Sequence, residues 1–227
     1  MRAAVSIIIP TLNADAGLPG CLSALVEGLK AGLIREVTLS DGGSTDRTLA
    51  LAEAAGALCV TGAPSRGGQL RRGAEAAQGD WLMFLHADTC LAPGWSTTVQ
   101  AALARGQAGY GTLAFDTTGA APRLVAGWAN LRSDLFGLPY GDQALLLPRS
   151  LYLAVDGFPD QPLMEDVAIA RRLKGQLKRL DMLVVTSAEK YQRQGWVRRG
   201  ARNLWTLIRY MCGADPKDLA KTYRRNF

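Results

Sequence analysis

Four short runs, Val5 to Ile9, Glu36 to Leu39, Ala57 to Thr61 and Trp81 to Leu85, each break off into a polar cluster, and a helical pattern follows each of the first three. No other feature of the sequence constrains the fold as much. Five apolar residues in a row, Trp81 to Leu85, are too short for a lone helix and read as a strand buried on both faces; Val5 to Ile9 reads as a buried strand, and the other two runs as further strands. Such strands alternating with helices of about ten to fifteen residues imply right-handed βαβ crossovers. The predicted class is α/β, with a Rossmann-like, mainly parallel sheet flanked by helices.

The punctuation agrees. Leu18, Cys21, Leu22, Leu25, Val26 and Leu29 fall on one helical face, and Gly32 stands where that helix should end. Pro10 lacks the N–H that a ladder needs and marks the predicted end of the first strand. A second helix spans Asp46 to Ala55 before Gly56, and a third runs to Gln78 before Gly79. Beyond Pro93 the pattern gives a helix over Gly94 to Ala104, a strand over Gly109 to Phe115 and a helix over Pro122 to Leu135. A turn-rich loop, Gly137 to Gln143, leads to a short strand, Ala144 to Leu147. Met164-Glu165-Asp166-Val167 opens a helix through Leu173 with its acids at the positive end, and Asp181 to Thr186 makes a last strand.

A tail, residues 191–227, completes the chain. Its first helix carries Trp196, Gly200, Leu204, Leu207, Ile208 and Met211 on one side and Arg198, Arg202 and Arg209 elsewhere. A second begins at Pro216 and bears Lys217, Lys221, Arg224 and Arg225. With 48% hydrophobic and 20% charged residues in 227, the chain can bury a substantial core and is not disordered. Its net charge of +6 favours a polyanionic partner. No nucleic-acid recognition motif accompanies the charge, which concentrates in the tail, so nucleic acid is not the expected partner. Cys21, Cys59, Cys90 and Cys212 form no C-x-x-C pair, which argues for reduced thiols rather than zinc or disulfides. The first apolar run is cut short by Pro10, so it is neither a signal-peptide core nor a membrane span, and a cytoplasmic protein is expected.

The chemistry belongs at the strand ends. Pro10-Thr11-Leu12-Asn13, Asp41-Gly42-Gly43-Ser44, Arg66-Gly67-Gly68-Gln69 and His86-Ala87-Asp88 each follow a strand or its connection, and in a parallel sheet those ends share one edge. The four loops should therefore converge on one crevice. Asp88, held by a rigid buried strand, is pre-positioned for a metal ion or a phosphate. His86, the only histidine, reads either as a hydrogen-bonded structural residue or as a ligand to metal or diphosphate.

As a set, in order and spacing from Val5 to about Val185, these residues resemble the inverting family two glycosyltransferases of GT-A fold. The carriers are Ser6 to Asn13, Asp41-Gly42-Gly43-Ser44-Thr45-Asp46, His86-Ala87-Asp88 and Glu165-Asp166. The F-L-H-A-D-T form of the metal motif is similar to that of a small bacterial subgroup. The resemblance implies a GT-A domain over residues 1–190, with a nucleotide-sugar half at about 1–90 and an acceptor half at about 91–190. It implies a UDP- or GDP-linked sugar donor, with Asp41 reading base or ribose and Pro10, Thr11, Asn13, Arg66 and Gln69 around the nucleotide. It implies a divalent ion, Mn2+ or Mg2+, at Asp88 with His86 beside it. Asp166 would be the general base, Glu165 its internal alternative, and Asp142 and Gln143 would meet the acceptor.

Two departures narrow this. His86 stands where the family motif usually has an aspartate. Gln192-Arg193-Gln194-Gly195-Trp196 is similar to the Q-x-x-R-W motif of processive synthases but has glycine at the arginine position, which speaks against a polymerase. A sugar-phosphate nucleotidyltransferase would need a glycine-rich, lysine-containing loop after its first strand, where this chain has Pro10 to Asn13. A nucleotide-sugar-binding protein without turnover is the non-enzymatic alternative. The tail is expected either to pack on the core or to touch an anionic membrane surface or a lipid-linked acceptor, which would make the protein peripheral on the inner face of the membrane.

Overall fold

The computed structural model describes residues 3–225. The side chains of Arg224 and Arg225, counted above among the tail's basic residues, and residues 226–227 lie outside the described part. Eight strands form one sheet: β1 (Val5–Thr11), β2 (Ile34–Asp41), β3 (Leu58–Thr61), β4 (Trp81–Phe84), β5 (Thr89–Leu91), β6 (Gly109–Phe115), β7 (Leu145–Pro148) and β8 (Lys178–Thr186). Their spatial order is β3-β2-β1-β4-β7-β6-β8-β5. The first four are all parallel, as the βα alternation requires. The other half is mixed: β7 runs antiparallel to β4 and β6, β6 is parallel to β8, and β5 is antiparallel to β8.

Strand β5 was not expected from the sequence, and it shapes the site. Only residues 85–88 separate it from β4, yet four strand spacings lie between them in the sheet order. At about 4.8 Å per spacing that is roughly 19 Å on a flat sheet, more than the connection can span at about 3.4 Å per residue. The sheet therefore curls, and His86-Ala87-Asp88 crosses the mouth of the curl.

Alternation along the central strands sorts the core into two layers. Val5, Ile7, Ile9, Met83 and Leu85 face α1 (Leu18–Lys30) and α4 (Trp95–Ala104), where Leu18, Cys21, Leu25, Trp95 and Val99 complete one cluster. Ile8, Leu82, Phe84, Leu145 and Leu147 face the opposite layer, built from α3 (Arg66–Ala76), α6 (Arg149–Ala154) and α7 (Glu165–Arg172). The first strand runs two residues beyond its predicted end, through Pro10 to Thr11. Ile8 accepts from Leu85 on the β4 side, so the missing N–H of Pro10, two residues on, faces that same side after the ladder to β4 has stopped at Phe84. The proline thus costs no hydrogen bond.

The remaining helices are α2 (Thr48–Ala54), α5 (Ala120–Phe136), α8 (Glu189–Gln194), α9 (Trp196–Met211) and α10 (Pro216–Arg225). Leu207 of α9 joins Leu138, Met164, Val167 and Ala170 in a third buried cluster, so the tail packs on the domain. The predicted stripe is nonetheless turned: Leu204, Ile208 and Met211 are exposed, and the inward face is Arg199, Thr206 and Leu207. No helix of the described residues is long and apolar enough to cross a membrane.

Candidate active site

The strand-end loops are fastened to one another before any ligand is considered. Asp41 is fully buried; its carboxylate accepts from Thr11 Oγ1 at 2.9 Å, Gly43 N and Ser44 N at 2.7 Å and Ser44 Oγ at 2.5 Å. Burial opposes its charge, but these donors hold the carboxyl below its ordinary range. Asn13 Oδ1 accepts from Thr45 N at 2.9 Å, and Gln69 Nε2 donates to the carbonyls of Thr11 at 2.7 Å and Ser40 at 3.0 Å. Asp41 thus orders its loop from inside, while Pro10, Thr11, Asn13, Arg66 and Gln69 line a cavity of about 530 Å3.

Gly67 and Gly68 serve packing rather than phosphate cradling. A side chain at 67 would strike the Pro159 carbonyl, one at 68 the Asp160 carboxylate, and Gly67 N donates to Gln161 O at 3.0 Å. That close approach brings the start of α7 to Arg66, whose guanidinium lies 4.0 Å from Glu165 Oε1.

The acidic pair divides at this point. Met164, in the left-handed region at φ 62°, turns the chain into α7. Glu165 goes inward: it is 1% exposed, and its Oε2 has no hydrogen-bond partner. Asp166 goes outward, its Oδ1 accepting from Val167 N at 2.7 Å and its Oδ2 from Gly141 N at 3.2 Å, and it lines a second cavity of about 130 Å3. Asp142 lines the same cavity with Oδ1 unpartnered. Burial pushes its carboxyl up to about 6, with Arg132 opposing and Asp166 reinforcing the shift. Gln143 is fully buried behind the wall, held by Ser133 Oγ at 2.6 Å and donating to the Gly111 carbonyl at 3.3 Å, and does not line either cavity.

Burial pushes the Glu165 carboxyl up to about 7, with Asp166 adding to the shift and Arg66 opposing it. A folded value above the ordinary 4.5 means that the folded chain holds this proton more tightly than the unfolded one. The stability so contributed is complete below about pH 4.5 and is lost as pH rises through about 7. Glu165→Gln is therefore expected to flatten the fall in unfolding free energy between roughly pH 5 and pH 7.5, measured by urea titration. Parallel curves for the two proteins would contradict this placement of the charge.

The two cavities adjoin and share Arg66, His86, Asp88, Lys190 and Arg199 in their walls. Asp88 Oδ2 accepts from Lys190 Nζ at 2.9 Å, and its backbone carbonyl accepts from Ser187 N at 3.1 Å. Burial opposes its charge, but Lys190 and Arg66 outweigh it and hold the carboxyl down at about 2. His86 is pushed down to about 3 by burial and by Arg66 and Lys190, so its ring is neutral. A side chain at Gly141 would collide with its Nε2, so that nitrogen lies against backbone.

Sequence reasoning missed the tail's share of this site: Lys190 and Tyr191 of α8, Arg199 and Asn203 of α9, and Tyr223 of α10 all line the second cavity. Lys190 could have been found, because it stands four residues past the end of β8, on the edge where the other strand ends converge. The others depend on how the helices fold back.

Against known proteins, a stretch of 100 residues is 39% identical to a PGL/p-HBAD biosynthesis glycosyltransferase of Mycobacterium tuberculosis, covering 38% of this chain and 36% of that protein. The chain thus matches little more than a third of the length of these curated relatives. Among solved structures it is similar to glucosyl-3-phosphoglycerate synthase from M. tuberculosis in complex with Mn2+, UDP and phosphoglyceric acid, with a TM-score of 0.61, 19% identity, and 93% of this chain and 79% of that one covered. It is also similar to S. aureus TarS in complex with UDP-GlcNAc, with a TM-score of 0.59, 15% identity, and 81% and 58% covered. These likenesses place the curled sheet and its helices in the GT-A fold. Residues 6–124, from the first strand into α5 and including all four converging loops, match the glycosyl transferase family 2 model, and with more than half of its length so matched the chain belongs to glycosyl transferase family 2.

Proposed function

We propose that the protein transfers a hexose-type sugar from a UDP- or GDP-linked donor to an acceptor hydroxyl by an inverting displacement. The observation that carries this reading is the pair of adjoining cavities, one walled by the strand-end loops and the other by Asp166 and Asp142, with Arg66, Asp88, Lys190 and Arg199 between them. The larger cavity suits the nucleotide, and the junction suits its diphosphate. Three cationic side chains at that junction favour a dianionic group and neutralise the charge that builds on it as the glycosidic bond breaks.

The acceptor hydroxyl approaches from the smaller cavity. Its oxygen attacks the anomeric carbon opposite the diphosphate, and its proton passes to Asp166. Asp142, with an unpartnered oxygen in the same wall, orients that hydroxyl. The relatives' glycosyltransferase names and the neighbours' UDP complexes support the donor class.

Asp88 fits a divalent ion of the Mg2+ or Mn2+ kind. It is an ionised carboxylate on a fixed turn, one-third exposed at the junction, and such ions are commonly held by one or two carboxylates with substrate phosphates completing the shell. Among the described residues no three His, Cys, Asp or Glu side chains cluster as a complete ligand set. When bound, the ion supplies Lewis-acid stabilisation of the leaving diphosphate. His86, neutral and with Nε2 against Gly141, is the weaker candidate ligand.

The test is release of UDP or GDP from a panel of nucleotide sugars in Mn2+, with and without a hydroxyl acceptor such as an alkyl glycoside. Turnover of one donor is the expected result. Binding of donors with no turnover of any would make the protein a nucleotide-sugar-binding protein instead.

A further inference from the structure

Helices α5 and α9 pack against one another, and both turn large apolar side chains outward. Their buried faces are small or mixed: Pro122, Ala126, Ala129, Arg132 and Ser133 on α5, and Arg199, Thr206 and Leu207 on α9. Their outward faces are apolar: Leu124, Trp128, Leu131 and Leu135 on α5, and Val197, Leu204, Trp205, Ile208 and Met211 on α9. Leu124 is 74% exposed, Leu135 67%, Trp205 61% and Val197 85%. The spacing of four, three and four residues along α5 makes one continuous stripe, and Gly127 beside it leaves open space. A surface helix of a globular protein turns its polar side to water, so two adjacent helices that expose continuous apolar stripes mark an interaction surface.

From this we infer that the α5–α9 face docks on an anionic lipid bilayer. Charge decides the occupant. Residues 189–227 carry ten Lys and Arg against three Asp and Glu; Lys190 and Arg199 line the cavities, whereas Arg198, Lys217 and Lys221 are exposed. Asp134, an acid on α5, is held by Arg179 at 2.8 Å. Two tryptophans within an apolar stripe, on helices whose exposed Arg123 and Arg198 are long enough to reach headgroups, form the composition of a membrane-interface helix pair. A second copy of the chain is disfavoured, because a twofold contact through this face would bring the basic tails together.

The placement also bears on the acceptor. The inner sides of the same two helices reach the smaller cavity, Arg199 and Asn203 directly and Arg132 by stacking 3.4 Å over the ring of Tyr140. A face docked there holds the acceptor side of the site next to lipid, which suits an acceptor with a lipid anchor. This last step rests on the transfer reading; the docking itself does not, and its test uses no nucleotide.

The test is co-sedimentation of the full chain with vesicles of phosphatidylcholine containing about a third phosphatidylglycerol, against vesicles of phosphatidylcholine alone. The expected result is pelleting with the anionic vesicles that weakens with salt. Leu131→Gln combined with Ile208→Gln, both at exposed positions, should lower the partition at least about tenfold with an unchanged melting temperature. Arg198→Glu with Lys217→Glu is a second variant that leaves the apolar faces intact, and it should lower anionic-vesicle binding alone. No pelleting, or pelleting unaffected by both variants, overturns the inference. A dimer in light scattering that the Gln variant dissolves, without vesicle binding, gives the face to a second copy and equally overturns it.

Discussion

Asp166→Asn is expected to lose sugar transfer by at least about a hundredfold while binding UDP within about twofold of the parent protein. The size of the effect follows from the step it removes. An amide of the same shape can keep its oxygen on Val167 N, but it turns an NH2 group toward Gly141 N and cannot take the acceptor's proton. Asp166 lines the smaller cavity, whereas its neighbour Glu165 is 1% exposed and directed at Arg66, so Glu165→Gln should leave turnover within a few-fold of normal. Asp142 gives the informative comparison. Its carboxyl is pushed up to about 6 by burial and one oxygen is unpartnered, so Asp142→Asn should raise KM for acceptor more than it lowers kcat. The reverse pattern, with kcat collapsing in Asp142→Asn and surviving in Asp166→Asn, would move the base to Asp142.

Asp88→Asn should change donor binding in two opposite directions. In Mn2+ the affinity for UDP is expected to fall at least about tenfold, because the one ionised carboxylate at the junction is gone. In chelator the affinity should hold or rise. Lys190, now 2.9 Å from Asp88 Oδ2, would be released from its pairing and would join Arg66 and Arg199 in facing the diphosphate alone. The two titrations together separate a metal-bearing carboxylate from one that serves only to hold Lys190. An unchanged response to Mn2+ in Asp88→Asn would remove the metal from the account.

The nucleotide half was legible because its signals are local. Short strands, helical spacing and glycine stops lie within a few residues of one another, and burial on alternate faces follows from the same pattern in Ile7, Ile8 and Ile9. What the sequence concealed depends on distant pairing. β5 is three residues long, and nothing in Thr89-Cys90-Leu91 announces that it will pair with Thr186, Val185 and Val184 nearly a hundred residues later. The antiparallel setting of β7 was hidden for the same reason.

The site divides in a similar way. Strand-end logic identified the loops, and the cavity walls include Pro10, Thr11, Asn13, Arg66, Gln69, His86 and Asp88. It could not tell that Asp41 would spend its carboxylate on its own loop or that Gln143 would be sealed behind Ser133, since both outcomes depend on side-chain direction. The apolar stripe of the tail left core packing and membrane contact both open; the structure buries Leu207 against Leu138, Met164, Val167 and Ala170, with Arg199 and Thr206 on the same inward face, and leaves Leu204, Ile208 and Met211 exposed.

The central claim is that four strand-end loops form one nucleotide-diphosphate site, and amide hydrogen exchange on the intact protein, with and without UDP or GDP in Mn2+, tests it most directly. The account predicts slowed exchange in Leu12 and Asn13, Arg66 to Gln69, His86 to Asp88 and Ser187 to Tyr191 together, with one of the two nucleotides and at one concentration midpoint. Protection confined to another surface, or none with either nucleotide, would contradict it.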